Sequence, residues 1–252
     1  MMRAEAMGML DRLRRRWRGE LAKRAARFPA RLALDRPTLS LTFDDFHVTA
    51  AETGAAVLEA AGVRGSFYVN GGTIGGMGEL GPSGDEARLR AVHAAGHEIG
   101  CHSVSHADLF RLDAAGIGAE IDRNAQWLAA RLGARPVSFA YPYGRTPLRA
   151  KRAAMARYRA ARGVQPGLNA GEIDLAYIRA APLESARRDR ELLARMIAEA
   201  AQRPAWLVLY THDVQPAPGP YGVTPEDLDW VLRAALAAGC AVRPLGEVVA
   251  GP

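Results

Sequence analysis

The sequence predicts a single α/β domain built as a barrel slightly short of eight βα units, and three observations point there. The chain has 252 residues, 49% of them apolar, enough for one large core without division into two. From Leu34 onward, short apolar runs alternate with stretches of helical periodicity, the pattern of βα units around a mostly parallel sheet. Four of the apolar runs end in polar, reactive or sharply turning sequences: Phe43-Asp44-Asp45, Cys101-His102, Tyr141-Pro142-Tyr143-Gly144 and Thr211-His212-Asp213. In α/β barrels catalytic groups gather at the carboxyl ends of strands, because those ends converge on one rim.

Residues 1–35 read as a basic helical extension ahead of a domain over 36–252. Arg12, Arg14, Arg15, Arg16, Arg18, Lys23, Arg24, Arg27 and Arg31 face a single acid, Glu20. Leu10, Leu13, Trp17, Leu21 and Phe28 recur at roughly helical intervals. A helix docked on its own domain is the preferred reading, and peripheral contact with an anionic membrane is the other. The overall charge of +6 is concentrated there; the remainder is near neutral, which argues against general nucleic-acid binding. No uninterrupted apolar stretch follows the basic residues as in a secretory signal, and no later segment is long enough to span a membrane. Cys101 and Cys240 make no disulfide framework. A reduced, cytoplasmic protein is expected. The sequence is silent on oligomeric state.

Thr38 to Phe43 reads as the first strand, followed by a helix with a Thr49/Glu52 capping box and a stop at Gly62. Ser66 to Val69 is the second strand, Asp85 to Ala95 a helix, and His97 to Cys101 the third strand. Ile117, Ile121, Leu128 and Leu132 share one helix face that ends at Gly133. Val137 to Tyr141 is a strand and Pro147 to Tyr158 a helix, while Ala160 to Pro182 suggests two short strands around Asn169. Trp206 to Thr211 is a buried strand. The last predicted helix is capped by Thr224, with Pro225 at its first position and Leu228, Val231, Leu232, Ala235 and Leu236 as its apolar stripe.

His102 and His106 stand four apart, so a helical turn starting there would aim both imidazoles one way. Two imidazoles, one carboxylate and an open position suit zinc or a similar divalent ion engaged in hydrolysis. Asp45 or Asp44 can supply the carboxylate. A turn at the strand end can aim both acids at the rim, where one would bind the metal and the other take a proton from the attacking water.

Thr42-Phe43-Asp44-Asp45, His102-Ser-Val-Ser-His106, Phe139-Ala-Tyr-Pro-Tyr-Gly144 and Leu209-Tyr-Thr-His212, in that order and spacing, resemble the motif series of the polysaccharide deacetylase family (the NodB-homology domain, carbohydrate esterase family 4). The resemblance runs from about Pro37 to Val248. It implies a distorted (β/α)7 barrel and metal-dependent hydrolysis of acetyl groups, N-acetyl first, on a sugar or glycan. It makes Asp44 the general base, Asp45, His102 and His106 the ligands of a divalent metal (zinc first), and His212 the acid for the departing amine. It gives the backbone N–H of Tyr143 the developing oxyanion. Many members carry an arginine at the second position of the third motif, orienting the catalytic aspartate; here that position is Ala140. Arg179 is the first candidate to reach the same space, and Asp174 is a candidate support for His212. Two rival functions follow: hydrolysis of a non-peptide C–N bond in a non-carbohydrate, and an inactive sugar-binding protein on the same fold.

Other signals are weaker. Gly76-Met-Gly-Glu-Leu-Gly81 matches a dinucleotide fingerprint but lacks the flanking strand and helix, so a mobile rim loop is expected. His97-Glu98 misses the zinc-protease spacing to His102. His97 reads as structural and His93 as a helix-surface residue, while His47 and Tyr221 are candidates to border the site.

Overall fold

The computed structural model describes residues 25, 27–187 and 189–250. Regular structure starts with β1 (Pro29–Arg31) and β2 (Thr38–Phe43). A π-helical turn (Ala50–Gly54) leads into α1 (Ala55–Ala60), then β3 (Ser66–Val69), and a small hairpin of β4 (Met77–Gly78) and β5 (Gly81–Pro82) precedes α2 (Glu86–Ala94). β6 (Glu98–Cys101), α3 (Ala114–Leu132), β7 (Ser138–Ala140), α4 (Leu148–Met155) and β8 (Ala160–Arg162) continue the alternation. β9 (Glu172–Asp174), β10 (Ala181–Pro182), α5 (Arg190–Gln202), β11 (Trp206–Thr211), α6 (Pro225–Ala237), β12 (Ala241–Val242) and α7 (Leu245–Ala250) complete it.

Parallel pairing runs in the order β10-β11-β2-β3-β6-β7-β8. Ile178, just before β10, pairs in parallel with Arg162 of β8, and Gly163 N–H donates to Ile178 O at 2.9 Å. The segment from 178 to 182 therefore bridges β8 and β11 and joins seven parallel strands in a ring, the distorted (β/α)7 barrel expected. Along β2 the side chains alternate, as the strand period requires. Leu39, Leu41 and Phe43 pack outward against Leu58, Leu89, Leu193 and Leu228 of the helices. Thr38, Ser40 and Thr42 take the other face, where Ser40 Oγ accepts from Trp206 Nε1 at 2.9 Å.

The bottom of the barrel is closed by α7, which no sequence signal marked; at six residues it is too short to show a periodicity. Its Leu245 and Val248 pack with Trp206 and Val208. Its first N–H groups donate to Ser66 Oγ and Glu98 Oε2, both at 2.8 Å, so the partly buried carboxylate meets the positive end of the helix. The opposite, carboxyl end of the strands is left for the site.

Most helix ends follow the predicted chemistry. Asp85 and Asp113 accept N-terminal N–H groups, Gly133 ends α3 at φ 75°, and Thr224 caps α6 with Pro225 behind it. The Thr49/Glu52 capping box does not form. Thr49 Oγ1 accepts instead from Val214 N–H at 3.0 Å, and Glu52 pairs with Arg88. A tertiary donor has displaced the local one. The third strand opens at Glu98, since His97 turns aside to accept from Gly65 N–H and face Glu59; it is structural, and His93 is exposed. Between Ala160 and Pro182 there are three strands rather than two, with Asn169 in a lone bridge to Trp206.

The helix expected over residues 1–35 falls largely outside the described residues, and the end of that segment is not helical. β1 pairs antiparallel with β9, and Phe28 N–H donates to Asp174 Oδ1 at 2.8 Å. Lys151, wholly buried, reaches Asp174 Oδ2 at 2.7 Å. Asp174 thus anchors the N-terminal strand and does not support His212. Among the described residues no helix is long and apolar enough to cross a membrane.

Candidate metal and catalytic site

Asp44 is the first residue beyond β2, His102 the first beyond β6 and His212 the first beyond β11. Thr211 pairs with Phe43, so Asp44 and His212 leave adjacent strands at one height. The chain then turns through Asp45 (φ 62°) and Phe46 (φ 48°), left-handed conformations that L side chains adopt at a cost. This turn brings a second carboxylate to the rim beside the first. His102 and His106 meet by the same device and not on a helical turn: Ser103 (φ 62°) and His106 (φ 54°) are left-handed, and the imidazole centroids come to 4.9 Å.

Asp45 Oδ1 lies 3.7 Å from His102 Nε2 and 3.6 Å from His106 Nε2. One ligand atom from each of the three lies within 4.8 Å of the others. The set fits a divalent cation on its donor chemistry, with two imidazoles, one carboxylate and room for further ligands. His102 Nδ1 stands 2.8 Å from Ala140 O; that nitrogen carries the proton and donates, leaving the Nε2 lone pair for a metal. Burial pushes the His102 imidazole down to about 3, so it is neutral. Burial pushes Asp45 up to about 6, with Asp44 and Glu79 adding to the rise.

Asp44 is held the opposite way. Burial alone would raise it, but Arg162, His102 and His212 outweigh burial and the carboxyl sits below its ordinary value. Arg162 is completely buried, and its Nη2 donates to Asp44 Oδ1. Its guanidinium carbon lies 5.2 Å from the ring centroids of both Tyr68 and Tyr210. Arg162 pairs directly with Ala140 across β7 and β8. The arginine absent at 140 therefore comes from the next strand, one position sideways. Arg179, the sequence candidate, is exposed and donates to Pro166 O at 3.2 and 2.7 Å; that assignment is corrected. Arg162 ends a three-residue strand, too short for its alternation to mark the inward residue.

The Tyr141 to Gly144 turn puts Tyr143 at φ 57° with its ring 4.3 Å from that of His106. Gly144 follows at φ 62°, where a Cβ would stand 2.1 Å from Val164 Cγ2. Tyr143 OH donates to Glu79 at the tip of the β4–β5 hairpin, so the glycine-rich stretch forms a hairpin across the rim. His47 lies beneath it: it bridges to Ser83, its Nδ1 is 2.9 Å from Thr49 Oγ1, and Gly81 passes over its Nε2. On the far side His212 Nδ1 meets Tyr221 O at 3.2 Å, and the two rings are 5.8 Å apart. Asp213 fixes that loop by accepting from Gly219 N–H at 2.9 Å and Gln215 Nε2 at 2.8 Å. Glu184, beyond β10, is buried; burial pushes its carboxyl up to about 7, with Arg187 opposing and Asp44 reinforcing. Nothing in the sequence singled out Glu79 or Glu184.

Residues 32–161 match the family model for polysaccharide deacetylase. Over 106 residues the chain is 34% identical to a chitin deacetylase of Pestalotiopsis sp, a stretch covering 42% of this chain and 34% of that protein. The chain thus spans about a third of that relative's length. Its fold is similar to a family 4 acetyl xylan esterase from Clostridium thermocellum solved with a cobalt ion (TM-score 0.56, 23% identity, 84% of this chain and 90% of that one). It is also similar to a Bacillus anthracis protein termed a CE4 family pseudoenzyme (TM-score 0.58, 15% identity, 85% of this chain and 66% of that one).

Proposed function

We propose, given that this chain belongs to the polysaccharide deacetylase family, that it hydrolyses acetyl groups, N-acetyl first, from a sugar or glycan with the help of a divalent cation, zinc first. One observation carries the reading. Three converging ligand atoms of Asp45, His102 and His106 stand beside an aspartate kept ionised by a buried arginine. A cation there would supply Lewis acidity toward the acetyl carbonyl and the attacking water.

The chain's own groups account for the proton movements. Asp44, held below its ordinary value, is ionised at neutral pH and takes the proton from water. Arg162 keeps it from swinging away and from protonating. The Tyr143 backbone N–H, on a turn fixed by Gly144 and by the Tyr143 hydroxyl on Glu79, would donate to the oxyanion as the carbonyl becomes tetrahedral. His212 donates its Nδ1 proton to Tyr221 O, which leaves Nε2 to carry a proton to the leaving amine. Arg162 weakens the case for an inactive sugar-binding protein, since the vacancy at Ala140 that favoured it is filled from β8.

The test is bound-metal content together with acetate release from N-acetylated sugars, for the wild type and Asp44→Asn. Stoichiometric metal in both, with release lost in the variant by at least about a hundredfold, is the expected result. Metal without release from a broad panel of acetylated sugars would defeat the deacetylase reading.

A further inference from the structure

Glu79 lies in none of the four motifs, yet it touches two residues of the site. One carboxylate oxygen accepts the Tyr143 hydroxyl. The other, Oε2, stands 3.8 Å from His106 Nδ1. That nitrogen is buried and has no hydrogen-bond partner, while Nε2 of the same ring faces Asp45. The contrast with His102 is informative. Its Nδ1 proton goes to Ala140 O at 2.8 Å, which fixes both the tautomer and the ring plane. A metal-binding imidazole ordinarily has its second N–H held in this way by a carbonyl or a carboxylate. For His106 the carboxylate facing Nδ1 is that of Glu79, less than an ångström beyond hydrogen-bonding distance.

The hairpin that carries Glu79 is anchored where it matters. Gly84 N–H donates to Phe46 O at 2.9 Å, and Ser83 bridges to His47. Both partners belong to the turn that presents Asp45. The hairpin therefore leaves the Asp45 turn at its base and reaches His106 and Tyr143 with its tip. Tyr143 OH donates to Glu79 and keeps one of its oxygens in place.

We propose that Glu79 is a positioning residue: it accepts the Nδ1 proton of His106, so that Nε2 points at Asp45 and His102 as a metal ligand, while its other oxygen ties the Tyr143 turn to the same hairpin. This rests on the reading of Asp45, His102 and His106 as a metal site and adds to it an outer partner from an unrelated loop.

The test is Zn2+ affinity of the full chain, measured by competition with a chelating dye, together with the visible spectrum of the Co2+-loaded protein. Glu79→Ala is expected to weaken Zn2+ binding by about tenfold, the lower end for a lost outer partner, because the side chain is more than half exposed. Its Co2+ bands should shift, reporting a reoriented imidazole. Glu79→Gln, which keeps an acceptor oxygen without the charge, should fall between it and wild type. Tyr143→Phe, which removes one tie on Glu79 but leaves its carboxylate, should weaken Zn2+ binding less than Glu79→Ala does. Equal melting of the metal-free proteins would show that the hairpin's loss of charge has not unfolded the chain. Unchanged Zn2+ affinity and Co2+ spectrum in Glu79→Ala would overturn the proposal, and a raised KM as its sole effect would reassign Glu79 to the substrate. A wild type that takes up no Zn2+ would overturn the metal site itself, and with it this assignment.

Discussion

Replacing Arg162 by alanine removes the buried cation bonded to Asp44 while leaving Asp44 buried. Losing one partner of a buried pair costs about 3–5 kcal/mol, because the survivor is an uncompensated charge. The survivor escapes by taking up a proton, and 3–5 kcal/mol corresponds to roughly 2–4 pKa units. The sign follows from the opposing influences on Asp44: burial raises it, and Arg162 is the largest of those that lower it. Without Arg162, burial wins. In the wild type the stabilisation from ionised Asp44 is present above the ordinary carboxylate range and is lost as pH falls through its depressed value. In Arg162→Ala that loss, and the acid limb of acetate release, should move upward by two units or more. At neutral pH release should fall several-fold, the part of Asp44 that such a shift protonates there, and the loss should deepen as pH falls. Two further variants separate this from general damage. In an Asp44→Asn background Arg162→Ala should cost little additional activity, since the residue acts through Asp44. Ala140→Arg combined with Arg162→Ala should recover part of it, because 140 and 162 are paired across β7 and β8 and both are wholly buried. An Arg162→Ala protein that is folded, active and unshifted in pH profile would refute the reasoning.

Glu184→Gln should change stability in a pH-dependent way. The folded carboxyl is raised to about 7 from an ordinary 4.5, so the folded state holds its proton more tightly and stability falls as pH rises between those values. The variant should melt several degrees above wild type at pH 8, worth about 1–3 kcal/mol, and close to wild type at pH 5; an equal difference at both would exclude this cause. Gly144→Ala should cost about 1–3 kcal/mol, since φ is 62° and the new methyl would meet Val164. It should lose acetate release beyond what unfolding explains, and full activity would show that the turn does not place Tyr143.

The strands were legible where composition and burial agree. Thr38–Phe43, Ser66–Val69 and Trp206–Thr211 are wholly buried runs with turn signals at their ends, and their predicted bounds are the observed ones. α3 and α6 were legible for the same reason, with local caps at one end or both. The failures came from partners distant in sequence. Thr49 looks like a cap and serves Val214, 165 residues on. Asp174 looks free to support a histidine and instead holds Phe28 and Lys151. The histidine pair was found from spacing, but its helical rationale was wrong, because left-handed Ser103 and His106 do the work of a helical turn. Glu79 could not be found at all, because an acid in a glycine-rich loop carries no pattern.

The displacement of the arginine from Ala140 to Arg162 follows from the geometry of a parallel barrel. Inward side chains on adjacent strands stand at the same height when their residues are paired, about 4.8 Å apart. Residues 140 and 162 are such a pair, and an arginine side chain is longer than that separation. Either position can therefore serve Asp44, provided the other is small enough to leave room, and alanine is. What the barrel cannot relax is the guanidinium's surroundings. At 162 it lies between the rings of Tyr68 and Tyr210, each 5.2 Å away, which offers a buried cation two π-faces in place of water. Moving the arginine to 140 keeps the reach but requires a new path between those rings. The double variant is thus expected to restore the ionisation of Asp44 more completely than the stability of the fold.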